Sequence, residues 1–199
     1  MKNKMLIRDG YNQITRSYLT ERLKLRTGKY VQQLMRLLPK GGMVLDVGCG
    51  AGVPVDDELI KHGFSVIGID ISEEQIKLAR KLCKGGDYRV ADMTELDEGD
   101  YKVDAVACLY AMFHVPREEQ ARLLRILASY LPVGGHLLIT MGDKDFEGEH
   151  QLMGVTMWSS QWGPAKNSQM VAQAGFTILV DEMNTSASER HQVILAVKK

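Results

Sequence analysis

From position 41 to the end of the chain, short apolar runs alternate with stretches whose apolar residues recur every three or four positions. The short runs at 43–48, 65–70, 88–92, 103–109 and 136–141 read as strands, because near-continuous apolar sequence suits a strand buried on both faces. Two more follow at 176–181 and 192–198. The stretches between read as helices. Ser72 is a suitable N-cap for a helix over 73–83, with Glu74 and Gln75 in its first turn. Pro116 opens a segment with Leu123, Leu124, Ile126, Leu127 and Leu131 on one face, and Pro132-Val133-Gly134-Gly135 stops it. Another helix is expected near 166–174. Strands alternating with helices predict an α/β fold, a doubly wound, mostly parallel sheet of seven strands covered on both faces. Only 183–190 separates the last two strands, which predicts a C-terminal antiparallel hairpin at one sheet edge.

Upstream of the sheet, Tyr11, Ile14, Tyr18 and Leu19 recur at helical spacing, and so do Tyr30, Val31, Leu34, Leu37 and Leu38. They predict a helical lid within residues 1–40, folding over a core at 41–199 in a single domain. The stretch 142–162 has no helical pattern and carries Trp158 and Trp162 with Met153 and Met157. A loop that long inside a compact domain is expected to be a functional cover, with Trp158 against a pocket.

The chemistry is concentrated in Asp46-Val47-Gly48-Cys49-Gly50-Ala51-Gly52, directly after the first strand. Glycines let the backbone pass close to a ligand and open a helix beneath it. The second strand ends in Asp70, and a carboxylate about twenty residues on is placed to accept both hydroxyls of a ribose. A nucleoside-bearing cofactor follows. A dinucleotide fingerprint would need glycine where Val53 stands. Asp46 also brings negative charge toward the turn, which suits an ammonium group better than a pyrophosphate.

Residues 44–52 resemble motif I of the class I S-adenosylmethionine-dependent methyltransferases. Ala91-Asp92-Met93-Thr94-Glu95-Leu96 and Phe113-His114-Val115-Pro116-Arg117-Glu118 sharpen the likeness toward small, single-domain prokaryotic enzymes of the ubiquinone-biosynthesis-like kind. The resemblance implies a Rossmann-like fold that finishes in a reversed strand, and S-adenosylmethionine as cofactor. It puts the methionine part against Gly48, Cys49 and Gly50, near Asp46 and the backbone of Cys108. Asp70 grips the ribose, Ile71 and Met93 sandwich the adenine, and Asp92 accepts from its amino group. Tyr11 resembles the N-terminal tyrosine that closes over the cofactor in many such enzymes. His114 lies at the right rim for a base or an acceptor contact, with Tyr110 beside it and Trp158 in the acceptor wall. Relatives commonly carry aromatic-Trp-Ser-His after the fifth strand, whereas this chain reads Met157-Trp158-Ser159-Ser160.

Charge and cysteine content narrow the partners. The 199 residues carry a formal net charge of zero, so no global field recruits nucleic acid or an acidic membrane. Ten Lys or Arg precede Gly41 against Asp9 and Glu21, which reads as a solvated basic face or a dock for an anion or RNA. Cys49, Cys83 and Cys108 form no Cys-x-x-Cys pair, suggesting reduced thiols in a cytoplasmic protein and no metal site. No apolar run reaches membrane-spanning length, and the first ten residues lack a signal-peptide core. A small-molecule methyl acceptor and a monomer or homodimer are expected. Against a nucleic-acid methyltransferase, no Asn/Asp-Pro-Pro-Tyr/Phe run follows the fourth strand, where Cys108-Leu109-Tyr110-Ala111 stands. An NAD-binding oxidoreductase is disfavoured by Val53 and the terminal hairpin. A non-catalytic cofactor-binding regulator would have little use for a covered pocket.

Overall fold

Alternate residues of a strand point to opposite faces, so a strand inside a two-sided sheet feeds two cores at once. The strand β1 (Met43–Val47) does this, with Leu45 and Val47 in one core and Val44 in the other. The computed structural model describes residues 2–23, 28–186 and 189–199. In it, β1 lies between β2 (Ser65–Asp70) and a parallel strand farther along the chain, after β3 (Asp87–Val90) has paired with β2. That strand is β4 (Ala105–Cys108), which pairs in turn with β5 (His136–Met141). A separate hairpin of β6 (Phe146–Leu152) and β7 (Val155–Gln161) comes next. The antiparallel β8 (Phe176–Ser186) and β9 (Glu189–Lys198) then complete the main sheet. Its order is β3-β2-β1-β4-β5-β9-β8, the seven mostly parallel strands and reversed C-terminal edge expected from the sequence.

The strand order reverses between β1 and β4, where the strands' carboxyl ends open a crevice. The helix α1 (Lys2–Arg22) lies toward that rim, while α2 (Gly28–Leu37) and α3 (Val55–Lys61) pack on one face. There Tyr30, Val31, Leu34 and Leu59 meet Val44 and Ala105. On the same face α4 (Glu73–Leu82) seats Ile76 and Ala79 against Tyr88. The opposite face is covered by α5 (Arg117–Ser129) and α6 (Pro164–Gln173), through Leu123, Leu124, Leu127, Met170 and Val171. Burying each such aliphatic side chain is worth about 1.5–3 kcal/mol. The expected cap is present: Ser72 Oγ accepts from Gln75 N at 3.1 Å.

Three expectations need correction. The stretch 142–162 is not a loop: β6 and β7 pair through seven matched positions. β6 alternates half-buried and exposed residues, but Glu, His and Gln occupy so many positions that the period of two is masked, and β7 is buried through its middle on both faces. Met153 and Gly154 turn it with φ of 50° and 83°, the two positive values of a tight hairpin turn, without the Asn-Gly or Asp-Gly that would signal one. Second, the N-terminal helices part company. The apolar stripe of α2 is spent on the sheet, and only α1 reaches the crevice. Third, 183–190 is largely strand rather than connection, with 187–188 outside the described residues.

The turn yields a prediction. A non-glycine residue in the left-handed region costs roughly 1–2 kcal/mol, and Asn bears it best. Replacing the exposed Met153 by Asn should therefore raise the thermal unfolding midpoint by about 1–4 °C, measured by calorimetry.

Candidate functional site

The turn after β1 is held by backbone rather than side chains. Gly48 N and Cys49 N both donate to Ile69 O, at 2.8 and 3.0 Å, fixing the turn to the end of β2. Gly48 adopts φ +77°, and a Cβ there would collide with the Cβ of Ala111, so the position requires glycine twice over. Asp70 completes the tie. Its Oδ2 accepts from Gly50 N and its Oδ1 from Ser72 N, both at 2.9 Å. Burial pushes the Asp70 carboxyl up to about 6, against the backbone donors of Ser72, Gly50 and Ile71, which favour the charged form. It is ionised at neutral pH, and each oxygen keeps a further lone pair for a ligand.

Around this turn lies a partly open cavity, whose space together with its solvent-filled mouth is about 920 Å³. Of the residues singled out in the sequence, Tyr11, Asp46, Gly48, Cys49, Gly50, Asp70, Ile71, Asp92, Met93, Tyr110 and His114 all line it. Asp92 is already engaged: Oδ1 accepts from Thr94 N and Thr94 Oγ1, each at 2.8 Å, and Oδ2 pairs with Lys4 of α1 at 2.7 Å. Burial would raise its pKa, but Lys4 and Thr94 outweigh that and hold it below the usual carboxylate value. Tyr110 sits in the left-handed region at φ 60°, its ring 3.9 Å from the Arg22 guanidinium and edge-on to His191 at 5.0 Å.

Two singled-out side chains lie elsewhere. Cys108 is fully buried and points into the core beneath α5, since β4 alternates its faces. Trp158 is 8% exposed and lines no part of the cavity. On β7, Val155 and Met157 face Gly10 of α1, so period two turns Trp158 the other way. Its contribution is a backbone carbonyl, 3.0 Å from His114 Nδ1. Ser160, the last residue of the Met157-Trp158-Ser159-Ser160 run, is buried away from the cavity: it accepts from Arg117 N at 2.9 Å and donates to Glu147 at 2.7 Å.

Sequence reasoning missed three residues that α1 and α4 bring to the cavity: Arg22, Tyr18 and Gln75. Arg22 Nη1 and both polar atoms of the Gln75 amide are buried without a hydrogen-bond partner, while Asp46 hydrogen-bonds with Asp56. A basic count in 1–40 could not single out Arg22, because its value lies in facing Asp46 across the cavity. Four of the other nine basic residues there are ion-paired. Lys4 pairs with Asp92 and Glu95, Arg8 with Asp9, Lys29 with Glu182 and Lys2 with Glu149; Lys24 and Arg26 lie outside the described residues.

Beneath the turn, Asp56 is fully buried beside Asp46. Burial first, then the charge of Asp46, pushes Asp56 well above the carboxylate range, while burial raises Asp46 only to about 6 because Asp56 and Arg22 favour its charge. At neutral pH the pair carries one charge, with Asp56 protonated. An unfolded Asp56 would ionise above about 3.9, so unfolding releases a proton and the native state loses stability as pH rises beyond that value. Asp56→Asn should therefore raise the unfolding midpoint at pH 8, and the gain should vanish near pH 4; melts across that range measure it.

Comparison with known proteins agrees with this geometry. Residues 44–135 match the family model described as a methyltransferase domain. A ubiquinone biosynthesis O-methyltransferase of Coxiella burnetii is 32% identical over 123 residues, 60% of this chain and 50% of the relative. The chain thus spans about half the length of the curated relatives it matches. In fold it is similar to the 1,6-didemethyltoxoflavin-N1-methyltransferase of Burkholderia thailandensis (TM-score 0.74, 18% identity, 96% of this chain and 84% of that one). It is also similar to the magnesium protoporphyrin IX methyltransferase of Synechocystis with bound S-adenosylmethionine (TM-score 0.66, 23% identity, 96% and 80%). Residues 44–135 are thus similar to a methyltransferase domain, within a fold shared with a solved methyltransferase that holds S-adenosylmethionine.

Proposed function

We propose that this protein transfers a methyl group from S-adenosylmethionine to a small-molecule acceptor in the cytoplasm. The observation that carries the reading is Asp70, an ionised carboxylate fixed at a strand tip with its remaining lone pairs toward a cavity floored by Gly48–Gly52. The charged groups lining the cavity fit the same ligand. Asp46 offers a negative charge for an ammonium, and Arg22 a positive one for a carboxylate, the two ends of an amino acid. Ile71 and Met93 supply apolar contact for a planar base. When bound, the cofactor supplies an electrophilic methyl on a cationic sulfur. The protein's share is then to orient, enclose and exclude water.

The lid in this reading is α1. Lys4 reaches Asp92, and Asn12 sits over the start of α4, where its Nδ2 donates to Glu73 at 2.9 Å and its Oδ1 accepts from Ser72 Oγ at 2.6 Å. The names of the relatives and fold neighbours support a small acceptor, and a covered cavity does so too. Ion pairing of four of the ten N-terminal basic residues weakens the case for RNA as substrate. Among the described residues no helix is long and apolar enough to cross a membrane.

Thermal unfolding with S-adenosylhomocysteine and with NADH tests the cofactor. A ligand at a hundred times its dissociation constant adds about 2.7 kcal/mol, a rise of about 5–10 °C for a chain of this size. A rise with S-adenosylhomocysteine alone is expected, and one with NADH alone would sink the reading. In titration calorimetry, Asp70→Ala should weaken S-adenosylhomocysteine binding about a hundredfold or more, the loss of two charge-assisted hydrogen bonds, and Arg22→Met about tenfold. Unchanged affinity in either variant would remove that residue from the site.

A further inference from the structure

His114 makes two hydrogen bonds, and their chemistry fixes where its proton sits. Nδ1 is 3.0 Å from the carbonyl oxygen of Trp158, and Nε2 is 2.8 Å from the hydroxyl of Tyr11. A carbonyl can only accept, so Nδ1 carries the hydrogen. Burial lowers the His114 pKa to about 4, so the ring is neutral at pH 7 and Nε2 holds a lone pair. Tyr11 must therefore donate its hydroxyl hydrogen to Nε2. Tyr18 lies edge-on to Tyr11 with ring centroids 4.9 Å apart and hydrogen-bonds with it, which leaves Tyr11 Oη one lone pair toward the cavity that both rings line.

The consequence concerns what Tyr11 shows to the cavity. A phenol whose hydrogen is committed to histidine has only lone pairs left, so it can accept from a ligand and cannot donate to it. The ligand atom it meets must bear a hydrogen. We propose that Tyr11 and His114 work as a pair, with Tyr11 Oη taking the proton of the methyl acceptor's nucleophile as its own proton passes to Nε2 of His114. The acceptor class is then one whose nucleophile carries hydrogen, a hydroxyl or an N–H, rather than a thioether or tertiary amine.

The step balances. The X–H bond of the nucleophile breaks and a new O–H bond forms on Tyr11, while the old O–H bond breaks and an N–H bond forms on His114. The X–CH3 bond forms as the C–S bond breaks with its electron pair left on sulfur. One positive charge leaves the sulfur and one arrives on the imidazole, so the enclosed site keeps its net charge. A weak base suffices, because X–H becomes strongly acidic only as the new bond develops. The imidazolium, in a site that disfavours its charge, then returns its proton through Tyr11 to water once the product has left. Tyr11 is the catalytic residue of the pair, and His114 is a positioning residue that acts through it. Trp158 O fixes the tautomer.

This inference rests on the methyl-transfer reading, and the test separates the two. The probes are S-adenosylhomocysteine and sinefungin, in which an amine-bearing carbon replaces the methylated sulfur and puts N–H donors where the methyl would be. Titration calorimetry of wild type, Tyr11→Phe, His114→Leu and His114→Gln gives the ratio of the two affinities for each. Wild type should favour sinefungin about tenfold, the worth of one hydrogen bond to a charged group. Tyr11→Phe and His114→Leu should abolish that preference, whatever happens to either affinity alone. His114→Gln, whose amide oxygen can still accept from Tyr11, should keep part of it. If S-adenosylhomocysteine fails to bind wild type, the methyl-transfer reading falls and this pair with it. Binding with an unchanged ratio in Tyr11→Phe overturns the pair alone. Nitrogen NMR of the His114 ring should show hydrogen on Nδ1, and hydrogen on Nε2 would equally overturn it.

Discussion

The two hydrogen bonds that Asp70 accepts, from Gly50 N and Ser72 N, are the constraint on which the site depends. Each is a charge-assisted bond of the kind worth about 1.5–3 kcal/mol. Together they lock the tip of β2 to the glycine turn on one side and to the first turn of α4 on the other. The same carboxylate is left ionised, buried and facing the cavity. Pre-organisation is thus obtained without strain in Asp70 itself; the turn's positive φ values fall on Gly48, Gly50 and Gly52, where no Cβ exists to object, and Tyr110 carries the one on the opposite rim.

A second layer is built onto this floor. Asn12 rests on Ser72 and Glu73, which ties α1 to the helix that Asp70 begins. Gly10 lets α1 press against Met157 of β7. His114 then joins the two covers, reaching Tyr11 on α1 and the carbonyl of Trp158 on β7. Three elements far apart in sequence meet on one imidazole ring.

The electrostatics follow from burial. Asp46, Asp56 and Asp70 crowd the turn, and three full negative charges there would be costly in a poorly hydrated space. Protonation of Asp56 relieves that cost. What remains is a cavity with negative sites at Asp46 and Asp70 and a positive one at Arg22, suited to a ligand of mixed charge.

By itself the sequence determined the sheet and its turn. Apolar runs on β1, β4 and β5 can be satisfied only inside a two-sided sheet, and Gly48, Gly50 and Asp70 are local signals at fixed spacing. The seven mostly parallel strands and the reversed last pair followed from those patterns, while their order across the sheet came only with the tertiary structure. The hairpin β6–β7 stayed hidden, because polar residues mask its alternation and Met153-Gly154 lacks the usual turn chemistry. Tertiary structure alone decided the rest. Which side of β7 Trp158 faces, that Arg22 stands across from Asp46, and that both nitrogens of His114 are engaged are all outcomes of packing between distant elements. No spacing along the chain encodes them, since each depends on how α1 and β7 cross above the crevice.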